Sequence, residues 1–352
     1  MNIYEVKDMA KTLKVTLLVT LILGLFLTGC VSAPAANTPA VSETPAAATD
    51  TIAPTQTTPE VETPAAASDG KLVIYAPATT SSIPVIIAAS KMDNVELTLY
   101  TNQSQANTLF LRGDVSILVS GLSVGVDLFN NGAPVQMANS YVTGLSYLVT
   151  YGKQAASLAD LKGQEIYIPF EGSPIEDATA FLAEKAGLKY KEDLTPVYSQ
   201  FDSSIELLKE GKATAVVLPE PNVTLVESQP NVFVSVSYFD AWNQATGTSN
   251  GYPQVGSFVN SEWAKTHADE ITAFDSALAA AITSTQKDPS AAVSAVSSYY
   301  KLKPELLLKS LNRTHYNLTT GQEMADTINA YYQLIGKPLD EKYSAFYYLA
   351  AQ

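Results

Sequence analysis

The chain has 352 residues, 35 acidic against 21 basic side chains, and a net charge of −14 at pH 7. That balance excludes nucleic acid as a partner and electrostatic adhesion to anionic lipid. One cysteine, Cys30, and two histidines, His267 and His315, exclude internal disulfides, CxxC redox chemistry and cysteine-based metal sites.

In chain order, the first element is an uncharged apolar run from Val15 to Leu27, preceded by Lys11 and Lys14. It is too short to span a bilayer and has the length of a signal-peptide core. It ends in Leu27-Thr28-Gly29-Cys30, which resembles the lipobox of bacterial lipoproteins, with small residues at the cut and a thiol just after it. The reading is a lipoprotein signal peptide over 1–29 and diacylation at Cys30; the bland alternative is an ordinary signal peptide with a chance cysteine. Glu5 and Asp8 fit an n-region poorly, and a start at Met9 removes both. Cleavage takes three lysines and two acids from the chain, so −14 becomes −15. Lipid, and not charge, is then the only membrane contact.

Residues 31–69 hold six prolines, no aromatic residue and no Lys or Arg. Such a composition cannot bury enough apolar surface to offset its ordering entropy. Residues 30–70 therefore read as the lipidated cysteine and a disordered tether, with a coil reach of roughly 35 Å.

From about residue 71 the chain alternates strand and helix patterns, and it does so twice. "YTNQSQANTLFLRGDVSILVSG" from Tyr100 and "YSQFDSSIELLKEGKATAVVLP" from Tyr198 align at a constant offset of 98. Each copy has a strand end, a polar turn, a helix closed by glycine (Gly113, Gly211) and a β-run, Val115–Val119 or Ala213–Leu218. Upstream, "LVIYAPATTSSIP" and "EIYIPFEGSPIED" share a looser plan of strand, turn and helix start. Alternating strands and helices predict an α/β fold with mostly parallel sheets flanked by helices, in two lobes. Ligands in such sheets sit outside the strand carboxyl ends. The candidate ligand-binding residues there are Thr80, Ser81 and Ser82; Asn102 and Gln103; Ser120 and Ser123; Gly172 and Ser173; Gln200; and Glu220. Ser173, Pro174 and Glu176 also form a capping-box pattern, so Ser173 and Glu176 have a purely structural reading, which leaves Gly172 and nearby N–H groups free for a ligand.

Together "SLADLKGQEIYIPFEGSPIED", "FLAEKAGL" and "LLKEGKATAVVLPEP" resemble the periplasmic-binding-protein family that serves ABC importers of nitrate, sulfonates, taurine and thiamine-pyrimidine precursors. The resemblance implies a type II two-lobe binding fold with two chain crossovers, near Leu148–Gln154 and Asn250–Val255. Lobe 1 is then 71–150 plus 255–352, and lobe 2 is 151–254. It also implies a monomeric, cofactor-free solute-binding lipoprotein on the outer face of a bacterial cell membrane, with an ABC permease and a small-molecule ligand as partners. The alternative is a surface adhesin or sensory domain without a transporter.

Beyond lobe 2, Ala268–Lys287, Ser290–Lys301 and Gly321–Leu334 have helical spacing. An enzyme is the least supported class. There is no GxSxG elbow or GxxxxGK[ST] loop, and neither histidine has partners at metal-ligand spacing. Glu171 and Glu220 at two strand ends offer one candidate acid pair. The two arginines, Arg112 and Arg313, fall outside the expected cleft loops. Glu171, Glu176, Asp177 and Glu220 make lobe 2 unfavourable for an anion. A neutral nitrogen heterocycle is therefore preferred to a sulfonate, with Tyr141, Tyr147 or Trp242 either stacking on it or in the core.

Overall fold

A computed structural model of the chain describes residues 70–349. The signal peptide, Cys30 and the tether lie outside the described residues. Eleven strands form two mixed sheets. The first holds β1 (Leu72–Pro77), β2 (Val95–Tyr100), β3 (Ile117–Gly121), β4 (Val135–Gly144), β10 (Val255–Asn260) and β11 (His315–Thr320), in the order β11-β4-β10-β3-β1-β2. The second holds β5 (Ser146–Tyr151), β6 (Gln164–Ile168), β7 (Leu194–Tyr198), β8 (Ala215–Pro219) and β9 (Val232–Ser237), in the order β7-β6-β8-β5-β9.

Helices α1 (Ile83–Ala89), α2 (Gln103–Leu111) and α3 (Leu122–Asn130) follow the first three strands. Helices α4 (Pro174–Lys185), α5 (Phe201–Lys209), α6 (Asn222–Val226) and α7 (Tyr238–Thr246) follow β6 to β9. The C-terminal part adds α8 (Ser261–Ala264), α9 (Ala268–Lys287), α10 (Pro289–Val296), α11 (Pro304–Leu311) and α12 (Gly321–Leu334).

The 98-residue repeat is present in three dimensions. Helices α2 and α5, and strands β3 and β8, coincide at both ends under that offset. Gly113 and Gly211 both take the left-handed conformation, at φ +85° and +69°, which a glycine accepts without a Cβ penalty. The parallel strand pairs among the described residues are β1–β2, β1–β3, β6–β7 and β6–β8. The strands flanking the crossings, β4, β5, β9, β10 and β11, pair antiparallel, because each runs back beside its neighbour.

Period-two alternation explains how the sheets are covered. Ile117 and Val119 of β3 join one apolar cluster, with α1 and α9 to α11, while Leu118 between them joins another. Val216 and Leu218 of β8 face Ile205 and Leu208 of α5, and Val217 points to the opposite side. Both faces of these strands are buried, as parallel strands between helices require.

Four boundaries differ from the sequence reading. The chain passes from the first sheet to the second at Leu145, between β4 and β5, earlier than Leu148–Gln154. Residues 146–151 pair with both β8 and β9 and so form an interior strand of the second sheet. The two β-runs begin two residues later than expected, at Ile117 and Ala215. Helix α10 stops at Val296, followed by a 3-10 turn over Ser297–Tyr299, where a helix to Lys301 was expected. Ser294 Oγ donates back to the Ser290 carbonyl, the local competition by which serine weakens helix ends.

Candidate ligand cleft

The loops at the carboxyl ends of β1, β3, β6 and β8 meet between the two sheets. The Thr80 N–H points at the Glu220 carbonyl, 3.5 Å away. A Cβ added at Gly121, the N-cap of α3, would lie 3.0 Å from Pro174 at the start of α4. The N-termini of α3 and α4 therefore abut. The Leu122 N–H donates to the Gln254 carbonyl (2.9 Å) on the segment that returns to the first sheet. The expected crossover at Asn250–Val255 lies in that segment.

Three expected donors have other work. Thr80, Ser81 and Ser82 are buried. Thr314 Oγ1 donates to the Ser310 carbonyl, so Thr80 Oγ1 must donate to Thr314 Oγ1 (2.7 Å). Ser82 Oγ donates to the Pro77 carbonyl, and Ser81 Oγ lies 2.6 Å from Thr79 Oγ1. Tyr300, Tyr316 and Tyr141 hydroxyls donate to the carbonyls of Thr79, Thr80 and Ser81 (2.8, 2.6 and 3.0 Å). Burial raises the pKa of all three phenols, so they stay protonated as donors. Tyr141 thus belongs to the structural core.

On the next loop, Ser120 Oγ donates to Gln103 Oε1 (3.1 Å), the Tyr100 hydroxyl donates to the Val119 carbonyl (2.8 Å), and Gln103 Nε2 donates to Asn107 (2.7 Å). Asn102 caps α2 by accepting from the Gln105 N–H (3.0 Å), in an exposed position. Gln200, at the equivalent position before α5, is also exposed and makes no capping bond.

The α4 turn corrects two expectations. Ser173 Oγ caps the Glu176 N–H (3.1 Å) as read from sequence. Glu176 Oε2, however, accepts from the Gly172 N–H (2.6 Å), so that N–H is not free for a ligand. The left-handed Gly172, at φ +75°, turns its amide toward the helix and its carboxylate. Glu176 Oε1 accepts from the Tyr198 and Tyr190 hydroxyls (2.8 and 3.1 Å). Glu171 is exposed and pairs with Lys191 (3.0 Å), while Glu220 is fully buried elsewhere. They do not form an acid pair.

Arg313 is the largest correction. It precedes β11, beside the junction, because the C-terminal chain returns to add that strand next to β4. Its guanidinium reaches Glu220 (3.2 Å) and Glu227 (2.8 Å), and Lys309 also meets Glu227 (2.6 Å). Tyr147 Oη donates to the Arg313 carbonyl (2.9 Å), with its ring 5.9 Å from the guanidinium. Glu220 Oε2 also accepts from the Thr224 N–H (3.1 Å). Burial pushes the Glu220 carboxyl up, and Thr224 and Arg313 oppose it. On the α4 side, buried Asp177 meets Lys337 Nζ (2.5 Å). Glu171, Glu176, Asp177 and Glu220, the acids that disfavoured an anion, thus each have a partner. Trp242 packs with Phe181, Tyr252 and Tyr331 and is core.

Of the buried polar groups without a partner among the described residues, which also include Thr224 Oγ1 and Tyr252 Oη, Ser123 Oγ and Gln254 Nε2 lie on the segments that meet here. Both residues are buried, at 5 % and 3 % exposure, and each Oγ or Nε2 carries a hydrogen for an acceptor. Gln254 Oε1 accepts from Leu145 N (3.2 Å), so this side chain also touches the first crossing. Ser123 was visible in the sequence as a strand-end hydroxyl. Gln254 was not, although it lies inside the expected second crossover.

Solved structures with this architecture define the class. The ligand-binding component of an ABC-type import system from Staphylococcus aureus superposes with a TM-score of 0.66 at 14% identity, covering 79% of this chain and 96% of that one. The periplasmic aliphatic sulphonate binding protein SsuA from Escherichia coli gives 0.65 at 16% identity, over 81% and 94% of the two chains. A Candida albicans protein described as having the generic periplasmic binding protein fold gives 0.58 at 13% identity, over 80% and 96%. The chain has the periplasmic-binding-protein fold. The NMT1/THI5 like family pattern matches residues 92–292, more than half of the chain, and the protein belongs to that family. No curated protein matches it by sequence.

Proposed function

We propose that this protein is the solute-binding component of an ABC importer, capturing a small neutral organic molecule between two lobes. One lobe is built on the six-stranded sheet and the other on the five-stranded sheet, with the first boundary moved to Leu145. The observation that carries the reading is the pair of unpartnered donors, Ser123 Oγ and Gln254 Nε2, where the strand ends of both sheets converge. Family membership and the relatives' roles in ABC import support it. Arg313 and Lys337 are already taken by Glu220, Glu227 and Asp177, so the donors left over are neutral hydroxyls and an amide. Neutral donors of this kind suit the acceptor nitrogens and oxygens of a heterocycle better than a sulfonate.

The test is thermal unfolding of the mature chain with an aminopyrimidine, an alkanesulfonate or nitrate. A ligand at about 100 times its dissociation constant adds roughly 2.7 kcal/mol, a rise of a few degrees in Tm. The aminopyrimidine is expected to stabilise the wild type and to lose most of that effect in Gln254→Leu. Stabilisation by the sulfonate or nitrate alone would overturn the neutral ligand, and no response to any small molecule would favour a surface adhesin or sensor.

The proposal places the protein on the outer face of the cell membrane, held by lipid on Cys30 through the 31–69 tether. No helix among the described residues is long and apolar enough to cross a membrane. Cys30→Ser is expected to leave the precursor uncleaved and without incorporated palmitate. Palmitate labelling of that variant would sink the anchor.

A further inference from the structure

A crevice of about 400 Å³ is lined by residues from both sheets beside the chain crossings, and two of them, Thr314 and Tyr316, also hold Thr80 from behind. Its walls come from both sides. Thr143 of β4, Thr285 at the end of α9, Asn312 and His315 belong to the first sheet and its helices. Phe239 at the start of α7 follows β9 of the second sheet, and Asn250 sits on the returning segment. The volume is within the ordinary range for a small-molecule site.

Its chemistry is unusual for this chain. The chain carries 16% charged residues, yet no Asp, Glu, Lys or Arg lines the crevice. Two wall groups titrate: burial raises the Tyr316 phenol and lowers His315, with Asp240 opposing the latter, so both are neutral at pH 7. His315 stacks on Phe239 with ring centroids 3.6 Å apart and planes within 3°. That gives a flat aromatic surface. Asn250, Gln286, Asn312 and Asn317 line the same crevice. Gln286 Nε2 is held by the Tyr316 carbonyl (3.0 Å), which fixes where its Oε1 points. Thr285 Oγ1, in the same wall, is buried without a partner among the described residues.

We propose that this crevice is a second binding site, for a neutral polyhydroxylated ring of monosaccharide size. Each neutral amide offers a donor and an acceptor side by side, the pairing that vicinal hydroxyls require. A flat ring pair gives the C–H face of a sugar an apolar surface to rest on. A charged ligand would find no counter-ion among the lining residues. The site also meets both crossings. A Cβ at Gly251 would lie 2.2 Å from the Thr143 carbonyl and 2.6 Å from Phe239, so the returning chain is seated directly against both walls. Any change in angle between the sheets alters the crevice, and an occupant is coupled by linkage to that angle.

The test is saturation-transfer NMR on the mature chain with N-acetylglucosamine, glucose and, as a charged control, glucuronate. Transfer to the ring C–H protons of a neutral sugar is expected, and none to glucuronate. Asn312 and Asn317 are exposed, so Asn312→Ala with Asn317→Ala is expected to keep the wild-type unfolding midpoint while weakening the sugar at least tenfold. Phe239→Leu, a second variant, is expected to weaken it similarly. No transfer from any neutral sugar overturns the proposal. So does transfer unchanged by these variants, or abolished by Ser123→Ala, since the sugar would then sit elsewhere or between the lobes. The readout is independent of the heterocycle titration, so failure of one reading leaves the other standing.

Discussion

Arg313→Met is expected to lower the unfolding free energy by about 3 kcal/mol at pH 7.5, the scale on which breaking a buried ion pair destabilises a protein. The variant leaves Glu220 fully buried with only the Thr224 N–H for its carboxylate, and takes one partner from Glu227. The remaining Lys309–Glu227 pair has a half-exposed lysine and contributes little. Adding Glu220→Gln to Arg313→Met removes the stranded charge and is expected to recover most of the loss. The deficit also has a pH signature. Burial already raises the Glu220 carboxyl above its ordinary value, and losing Arg313 raises it further. A group with a raised folded pKa contributes stability at low pH that disappears as pH rises through that pKa. The deficit of Arg313→Met is therefore expected to shrink between pH 7.5 and pH 5. Urea unfolding at the two pH values checks this, and a deficit below about 1 kcal/mol, or one equal at both, would show that the pair carries no such role.

Asp275→Asn is expected to act in the opposite direction and stabilise the protein at pH 8. Asp275 lies on α9, and its carboxylate meets an amide, Asn139 Nδ2 at 2.6 Å, where an ion pair would need a cation. Asn139 is itself held, its Oδ1 accepting from Ser257 N (3.2 Å). Burial pushes the Asp275 carboxyl up from 3.8 to about 7, against the smaller lowering effect of the Asn139 bond. The folded state therefore favours the protonated acid. Stability from this group is complete below about pH 4 and is lost as pH rises through about 7. Asparagine keeps the acceptor for Asn139 and never ionises. At pH 8 the gain is expected to be on the order of 2–4 kcal/mol, since each unit of pKa shift corresponds to about 1.4 kcal/mol. Near pH 4 the two proteins should unfold alike. Unfolding curves that stay parallel from pH 4 to 8 would place the Asp275 carboxylate in water.

The repeat was legible because its signals are local. A helix that ends in a left-handed glycine, followed by an apolar run, needs only neighbours in the chain, and α2 with β3 and α5 with β8 follow it. The same holds for the Ser173 cap and for α9 and α12, whose ends match the sequence reading. The family also followed from short motifs within those units. Which polar groups remain available to a ligand was settled at long range. A sequence shows that Thr80, Ser81 and Ser82 can donate hydrogen bonds, but not that Thr314, 234 positions away, takes one of them. It shows an arginine at 313, but not that Glu220, 93 positions earlier, comes within 3.2 Å of it. Leu145, and not Leu148, became the crossing because β5 pairs with strands on both sides, which local periodicity cannot report. Hydrogen-bonding capacity is a property of residue type and can be read along a chain, whereas each buried donor is satisfied by whatever the fold brings to it. Ser123 and Gln254 stand out only after the tertiary structure has assigned the other donors at the junction.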